Sequence, residues 1–249
     1  MFPLQTTVPL RNPPVVTWAL IAVNCVVFLY QIGLSEPELE LFLSRFALIP
    51  GRYFAPDAPS SLSVLDFLPF VTNMFLHGGW LHLILNMWTL WLFGRTVEDR
   101  FGSARYLLFY LLCGAVASTT HALVNATSEI PALGASGAIA GVLGCYMRMF
   151  PLSRVVVMIP ILFFPFFFEL PAIVFTGLWF LVQVMQGTAD LFGPPAGAGV
   201  AWWAHIGGFR RRLPADTAFA AVETSASTFL SGRGRARIRP GRPPLNTAI

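Results

Sequence analysis

Apolar residues gather along this chain in long blocks, divided by short stretches of polar and charged ones. A helix that crosses a membrane needs about 20 apolar residues, within a range of roughly 17–25. Val15–Ile32 meets this, and Pro13-Pro14 just before it suits a helix start. A signal sequence would look similar, but the small-x-small cleavage site is missing and further spans follow, which favours an anchor. The second span is predicted at Pro69–Phe93, the third at Tyr106–Val124, a short fourth at Ser136–Phe150, the fifth at Glu169–Gly187 and the sixth at Val200–Phe209. Val155–Phe168 is equally apolar, but Pro160 and Pro165 break it. It reads as a buried or interfacial connection and not a seventh span. The expected fold class is all-α: a polytopic membrane helix bundle of six transmembrane helices, the sixth shortened.

Composition agrees. Of the 249 residues 55% are hydrophobic and 11% charged, where ordinary globular chains carry about 25% charged residues. The missing surface charge fits a chain whose solvent is mostly lipid. All sixteen basic residues are arginine, and nearly all fall before, between or after the apolar blocks, so the net charge of +4 is loop charge and implies no nucleic-acid partner. Their placement also orients the chain. With the N-terminus in the cytoplasm, Arg11, Arg95, Arg100, Arg105, Arg148, Arg154 and Arg210–Arg212 lie inside, and only Arg45 and Arg52 outside. That is the positive-inside asymmetry of a six-span protein. The expected location is a cell membrane, with the N-terminus cytoplasmic. The outer loop Gly33–Leu68 carries acids and apolar residues, so part of it is expected on the membrane surface. Cys25, Cys113 and Cys145 each lie in an apolar run, which leaves no extramembrane pair for a disulfide.

Within these blocks stand residues that hydrocarbon disfavours unless something pairs with them. Ser136 sits in Gly134-Ala135-Ser136-Gly137, and 69 residues later His205 sits in Ala204-His205-Ile206-Gly207-Gly208. Gly137 with Gly141, and Ala204 with Gly208, make small-residue faces that let helices approach closely. Two such faces can bring a serine and a histidine into hydrogen-bond reach, as nucleophilic catalysis requires. In the second span, His82 and Asn86 are four residues apart and share a helix face. They can aim two donors at one point, as a developing oxyanion needs, or bond to neighbouring helices as polar pairs in membranes do. His77 lies nearer the outer end, where a solvated or structural role fits equally. His121 reads as a packing or boundary residue, and Gln183 and Gln186 as lining a substrate gate or, in the simpler reading, as partners in hydrogen bonds between helices. Trp202 and Trp203 suit the outer interface.

These motifs resemble those of the rhomboid intramembrane serine proteases: His-x4-His-x3-Asn in the second span, Gly-x-Ser-Gly in the fourth and Ala-His-x-Gly-Gly in the sixth. Gly94-Arg95-Thr96-Val97-Glu98-Asp99-Arg100 resembles the family's Glu-x-Arg element. The resemblance covers roughly residues 15–209. It implies Ser136 as nucleophile, His205 as general base, and His82, Asn86 and the Ser136 amide as oxyanion donors. Gly134, Gly137 and His77 would support them, and Glu98 with Arg100 would be a structural pair at the cytoplasmic end. The implied reaction is hydrolysis of peptide bonds in or near the transmembrane helices of membrane-protein substrates, at a small residue, with no metal or organic cofactor. A ring that some members carry four residues after the nucleophile is replaced here by Ala140. The competing reading is a rhomboid-like protein that binds such helices without cutting them; those relatives typically lose the serine or histidine, and this chain keeps both. A membrane metalloprotease would need a His-Glu-x-x-His run, which is absent, and a transporter would more often show internal repeats.

The chain departs from the family pattern in its sixth span. Even counted from Gly197, the segment to Phe209 is about 20 Å long as a helix, against a hydrocarbon core of about 30 Å. Arg210-Arg211-Arg212 and Pro214 follow at once. The expected organisation is a cytoplasmic segment 1–14, a membrane domain 15–209 and a basic, disordered tail 210–249. The tail reads either as a basic segment on the anionic inner leaflet or as the product of a shifted reading frame after Phe209. Substrate identity and oligomeric state are not readable from the sequence.

Overall fold

A computed structural model of the chain describes residues 2–56, 61–161, 164–192 and His205. The chain divides into Met1–Arg211 and Arg212–Ile249; the second unit, like most of the expected sixth span, lies outside the described residues. In chain order the elements are β1 (Phe2–Thr6), α1 (Val15–Ile32), α2 (Glu36–Phe46), the single turns α3 (Gly51–Phe54) and α4 (Pro69–Thr72), α5 (Trp80–Thr89), α6 (Arg95–Phe101), α7 (Ser103–Val124), α8 (Ser136–Met149), β2 (Arg154–Ile161), β3 (Phe164–Pro171) and α9 (Ala172–Phe192). Among the described residues, α1 and α7 are long and apolar enough to cross a membrane.

Helix α1 is inverted relative to a helix in water. Its buried stripe is Thr17, Leu20, Asn24, Phe28 and Gln31, spaced three or four apart so that they share one face. Trp18, Val23, Val26 and Leu29 are exposed on the outside. Polar groups turned inward with apolar ones outward is the arrangement that lipid favours. Helix α8 differs again, with Gly137 to Leu143 and Tyr146 all buried. A helix apolar and covered on nearly every side sits in the middle of a bundle. Its Tyr146 ring meets Phe93 edge-on at 4.9 Å, and Phe93 stacks on Phe175 of α9 at 5.9 Å. Gly114 of α7 packs against Met74 and Ala138, where a side chain would find no room.

Two expectations need correction. The second span does not form one helix from Pro69. Its chain breaks at Leu76, which is extended, and restarts at Trp80 after Gly78-Gly79. The break is held from α1: Gln31 Nε2 donates to the His77 carbonyl at 3.3 Å and the His77 N–H donates to Gln31 Oε1 at 3.1 Å, replacing hydrogen bonds that the helix gives up. From Trp80, α5, a π-turn at Leu90–Gly94 and α6 run on without interruption to Phe101, about 33 Å of rise. The fold is also not purely helical. Val155–Phe168 forms most of a β-hairpin, and β1 pairs with it to give a three-stranded antiparallel sheet ordered β1-β2-β3. Proline stops a helix here, and the β-branched and aromatic residues between suit a pleated strand. Glu169 belongs to β3, so the helix expected from Glu169 starts at Ala172.

Glu98 ties the N-terminal end of this bundle together. Its buried carboxylate accepts from the Val16 N–H at 2.8 Å, the Thr17 N–H at 2.8 Å, the Thr17 hydroxyl at 2.7 Å and the Ser103 hydroxyl at 2.7 Å. Those two N–H groups open α1 and have no partner within the helix, and the helix dipole favours an anion there. Glu98 is therefore structural, as expected, although its partners are α1 and Ser103. Arg100 instead lies over the Phe150 ring at 5.3 Å and reaches Asp99 at 4.0 Å. Glu98→Ala is expected to destabilise the protein by about 3 kcal/mol or more, because it strips charge-assisted hydrogen bonds from the buried N–H and hydroxyl donors. Denaturation in mild detergent checks this, and an unchanged midpoint would refute the capping role.

Candidate active site

Helix α8 is aimed by the strand-like segment before it. Leu48 and Ala132 exchange two backbone hydrogen bonds, at 3.1 and 2.8 Å, and the Gly134 N–H donates to the Asn73 carbonyl at 2.9 Å. Gly134 then turns with φ of +125°, a conformation that side chains other than glycine rarely adopt. Ser136 follows as the first residue of α8, partly exposed. It stands where the N–H groups of a helix have no intrahelical partner. Gly137, directly after it, is buried.

With no side chain at Gly134, the His82 ring packs directly against its backbone, with Asn86 alongside. A Cβ there would lie 2.8 Å from both Cε1 and Nε2 of His82, and 3.7 Å from Asn86 Nδ2. His82 Nδ1 takes a long contact from the Gly78 N–H at 3.4 Å, which leaves the ring proton on Nε2, toward Gly134. Asn86 Nδ2 is buried and has no hydrogen-bond partner. A buried donor left unsatisfied is costly, so the pair forms a site ready for an acceptor. The structure thus brings His82, Asn86 and Gly134 together, with Ser136 two residues on. His77 is buried behind them, its ring 5.0 Å from that of His82, and neither of its ring nitrogens has a hydrogen-bond partner. It is a packed neighbour and not a solvated residue.

His205 is buried on the side of α9. Its Nδ1 lies 2.6 Å from Gln183 Oε1, and its ring is 5.7 Å from Trp179. Gln183 Nε2 donates to the Trp179 carbonyl at 3.1 Å, which directs the amide oxygen at the imidazole. An amide oxygen only accepts, so Nδ1 carries the proton and Nε2 keeps the lone pair. The sequence points to Gln183 as a bond between helices, and that bond is present. What the sequence does not indicate is that its partner is His205. His121 is the other surprise. With Asn73, Ser118 and Ser136 it lines a cavity of about 20 Å³, room for one water molecule. Ser118 and His121 are three apart on α7, a spacing that already put them on one face.

A family model for the rhomboid domain matches residues 65–210, more than half of the chain and every motif named above. The chain belongs to the rhomboid family. This rhomboid is 28% identical over 209 residues to the mitochondrial Rhomboid protein 1 of Saccharomyces cerevisiae, covering 79% of this chain and 51% of the relative. It is 30% identical over 138 residues to the rhomboid protease GluP of Bacillus subtilis, covering 55% and 25%. It is 39% identical over 129 residues to the mitochondrial RHOMBOID-like protein 6 of Arabidopsis thaliana, covering 46% and 41%. The chain spans about half or less of the length of these relatives. Family membership makes this rhomboid a helical, polytopic membrane protein. Two of the three relatives are mitochondrial by name, so the likeness carries a membrane but not the cell membrane expected from the arginine pattern.

Proposed function

We propose that this rhomboid is an intramembrane serine endopeptidase that hydrolyses peptide bonds in or near the transmembrane helices of membrane proteins. Ser136 is the nucleophile and His205 the general base. His82 Nε2, Asn86 Nδ2 and the Ser136 amide receive the oxyanion. Six spans with the N-terminus inside hold this site in a cell membrane, and the membrane domain ends near Phe209, close to where the family match ends.

The observation that carries this reading is the close approach of His82 and Asn86 to Gly134. Two donors from α5 face it, one of them buried without a partner, beside the first turn of α8. Donors fixed in advance around a developing charge stabilise a transition state without reorganising, which is a large part of catalysis in a dry site. The chemistry then follows from proton positions. As Ser136 Oγ attacks the scissile carbonyl carbon, its proton passes to the lone pair on His205 Nε2, and the carbonyl electrons move onto the oxygen facing the donors. Collapse of that tetrahedral adduct breaks the C–N bond, and the amine leaves with the proton from Nε2. Water then repeats the attack on the acyl-enzyme and releases Ser136. Gln183 supports this assignment, because its acceptor holds His205 in the tautomer that leaves Nε2 basic. No metal or organic cofactor enters any step.

Asn86→Ala tests the reading at the residue that carries it. Loss of one oxyanion donor is expected to lower kcat by about 10²–10³, or about 3–4 kcal/mol, with KM little changed, because the interaction forms only in the transition state. Cleavage of a model transmembrane substrate in proteoliposomes measures both constants. A full-rate Asn86→Ala enzyme would remove the oxyanion role.

A further inference from the structure

The β2–β3 hairpin carries a surface that water does not suit. Phe164 to Glu169 are exposed without a break, with Phe164 at 72%, Phe166 at 54% and Phe167 at 60%. Strand pairing places these rings on both sides of the sheet. Phe166 and Phe168 pair with Ile159 and Val157, on one face, and Phe167 pairs with Met158, on the other. Val155 and Val157 are fully buried, so the root of β2 is packed while β3 is bare from Phe164 to Glu169. A protein partner seated on a strand covers one face. Rings bare on both faces call for an apolar medium on every side, and exposed apolar patches of this kind mark a membrane or partner surface.

Three further observations select the membrane. β3 runs straight into α9, whose Ile173, Val174, Leu178, Leu181 and Val182 are exposed, so the apolar surface of the hairpin continues that of a lipid-facing helix. The free edge is also prepared for it. Pro160 faces Pro165, a pairing in which neither strand needs a donor, so alternation turns the N positions of residues 165, 167, 169 and 171 to the outer edge. Two of those four are proline, which removes half of the donors that lipid would leave unsatisfied. Finally, this end of the bundle is basic. Arg95 and Arg100 lie on α6, Arg105 in the first turn of α7, Arg148 in the last turn of α8 and Arg154 at the start of β2, and the Arg11 N–H bonds to Asp99, so six arginines stand against Glu98, Asp99 and Glu169.

We propose that the exposed stretch of β3, Phe164–Phe168, dips into the headgroup layer of the anionic leaflet next to the basic end of the bundle. The remaining edge N–H groups of Phe167 and Glu169 limit the depth, since hydrocarbon offers them no acceptor. The Arg154–Glu169 pair, with both side chains about half or more exposed, marks the water line. This rests on the membrane-spanning reading, and the experiment separates the two. In a background with Cys25, Cys113 and Cys145 replaced by alanine, Phe166→Cys, Phe167→Cys and Leu181→Cys each carry an environment-sensitive fluorophore. The proteins are reconstituted in vesicles of phosphatidylcholine with phosphatidylglycerol. Both hairpin labels are expected to emit to the blue and to be quenched more by a nitroxide near the headgroups than by one deep in the acyl chains. Leu181 should show the opposite preference. Hairpin quenching should also weaken in phosphatidylcholine alone. Aqueous emission from both hairpin labels, or shielding of one face only, overturns the hairpin proposal while a hydrocarbon-buried Leu181 leaves the spanning reading standing. Aqueous emission at Leu181 overturns the spanning reading itself.

Discussion

Ser136→Ala is expected to abolish cleavage while the protein still folds and inserts. The residue opens α8 with its side chain partly exposed, so removing the hydroxyl leaves no sizeable void, and alanine suits a helix at least as well as serine. The effect therefore falls on chemistry alone. In the best-studied serine protease, loss of the nucleophile lowers kcat by on the order of 10⁶, and the residual rate comes from binding and the oxyanion site. Product formation from a model transmembrane substrate should drop below detection, with the same denaturation midpoint as wild type. Cleavage at more than about a hundredth of the wild-type rate would place the nucleophile elsewhere.

Gly134→Ala is expected to lose at least 10² in kcat, although it replaces neither the serine nor the histidine of the proposed dyad. Its φ of +125° is strained for alanine, at a cost on the order of 1–3 kcal/mol. The added methyl would also meet the His82 ring 2.8 Å away. Either the backbone turns and carries Ser136 with it, or His82 withdraws from Gly134. Both move reacting groups by an amount that costs catalysis about 10²-fold. Kinetics of Gly134→Ala should show the loss in kcat and not in KM. A variant of normal kcat would show that charge does not develop beside Gly134.

Much of the membrane domain is legible from block length alone. The first span matches α1 to the residue, and the third and fourth agree with α7 and α8 within three residues, because no proline or loop interrupts each apolar block. The second and fifth are harder. Pro69 to Phe93 reads as a single largely apolar block, yet the chain breaks where Gly78-Gly79 follows His77, and the backbone hydrogen bonds lost there are replaced from Gln31, 46 residues away. No local pattern announces such a partner. The β-hairpin escapes for a related reason. Fully apolar strands lack the alternation that reveals a half-buried one, and only the prolines show that Val155–Phe168 is no helix.

In the site, the motifs supply His82, Asn86, Gly134, Ser136 and His205 by type and spacing. The sequence leaves open whether His82 and Asn86 bond to neighbouring helices or face a shared point. The structure has Asn86 Nδ2 unpartnered beside Gly134, next to His82 Nε2, which favours the second. The Gln183–His205 bond and the place of His121 beside Ser136 depend on contacts between distant segments, and a single sequence carries no mark of them.

The central claim is that His205 activates Ser136. Fluorophosphonate labelling of the protein reconstituted in vesicles tests it most directly, because the reagent phosphonylates only a serine whose proton is being taken. The wild-type protein is expected to label, while Ser136→Ala and His205→Ala, both folded and inserted, are expected not to. Labelling that survives in either variant, or none in a folded wild-type protein, would contradict the dyad.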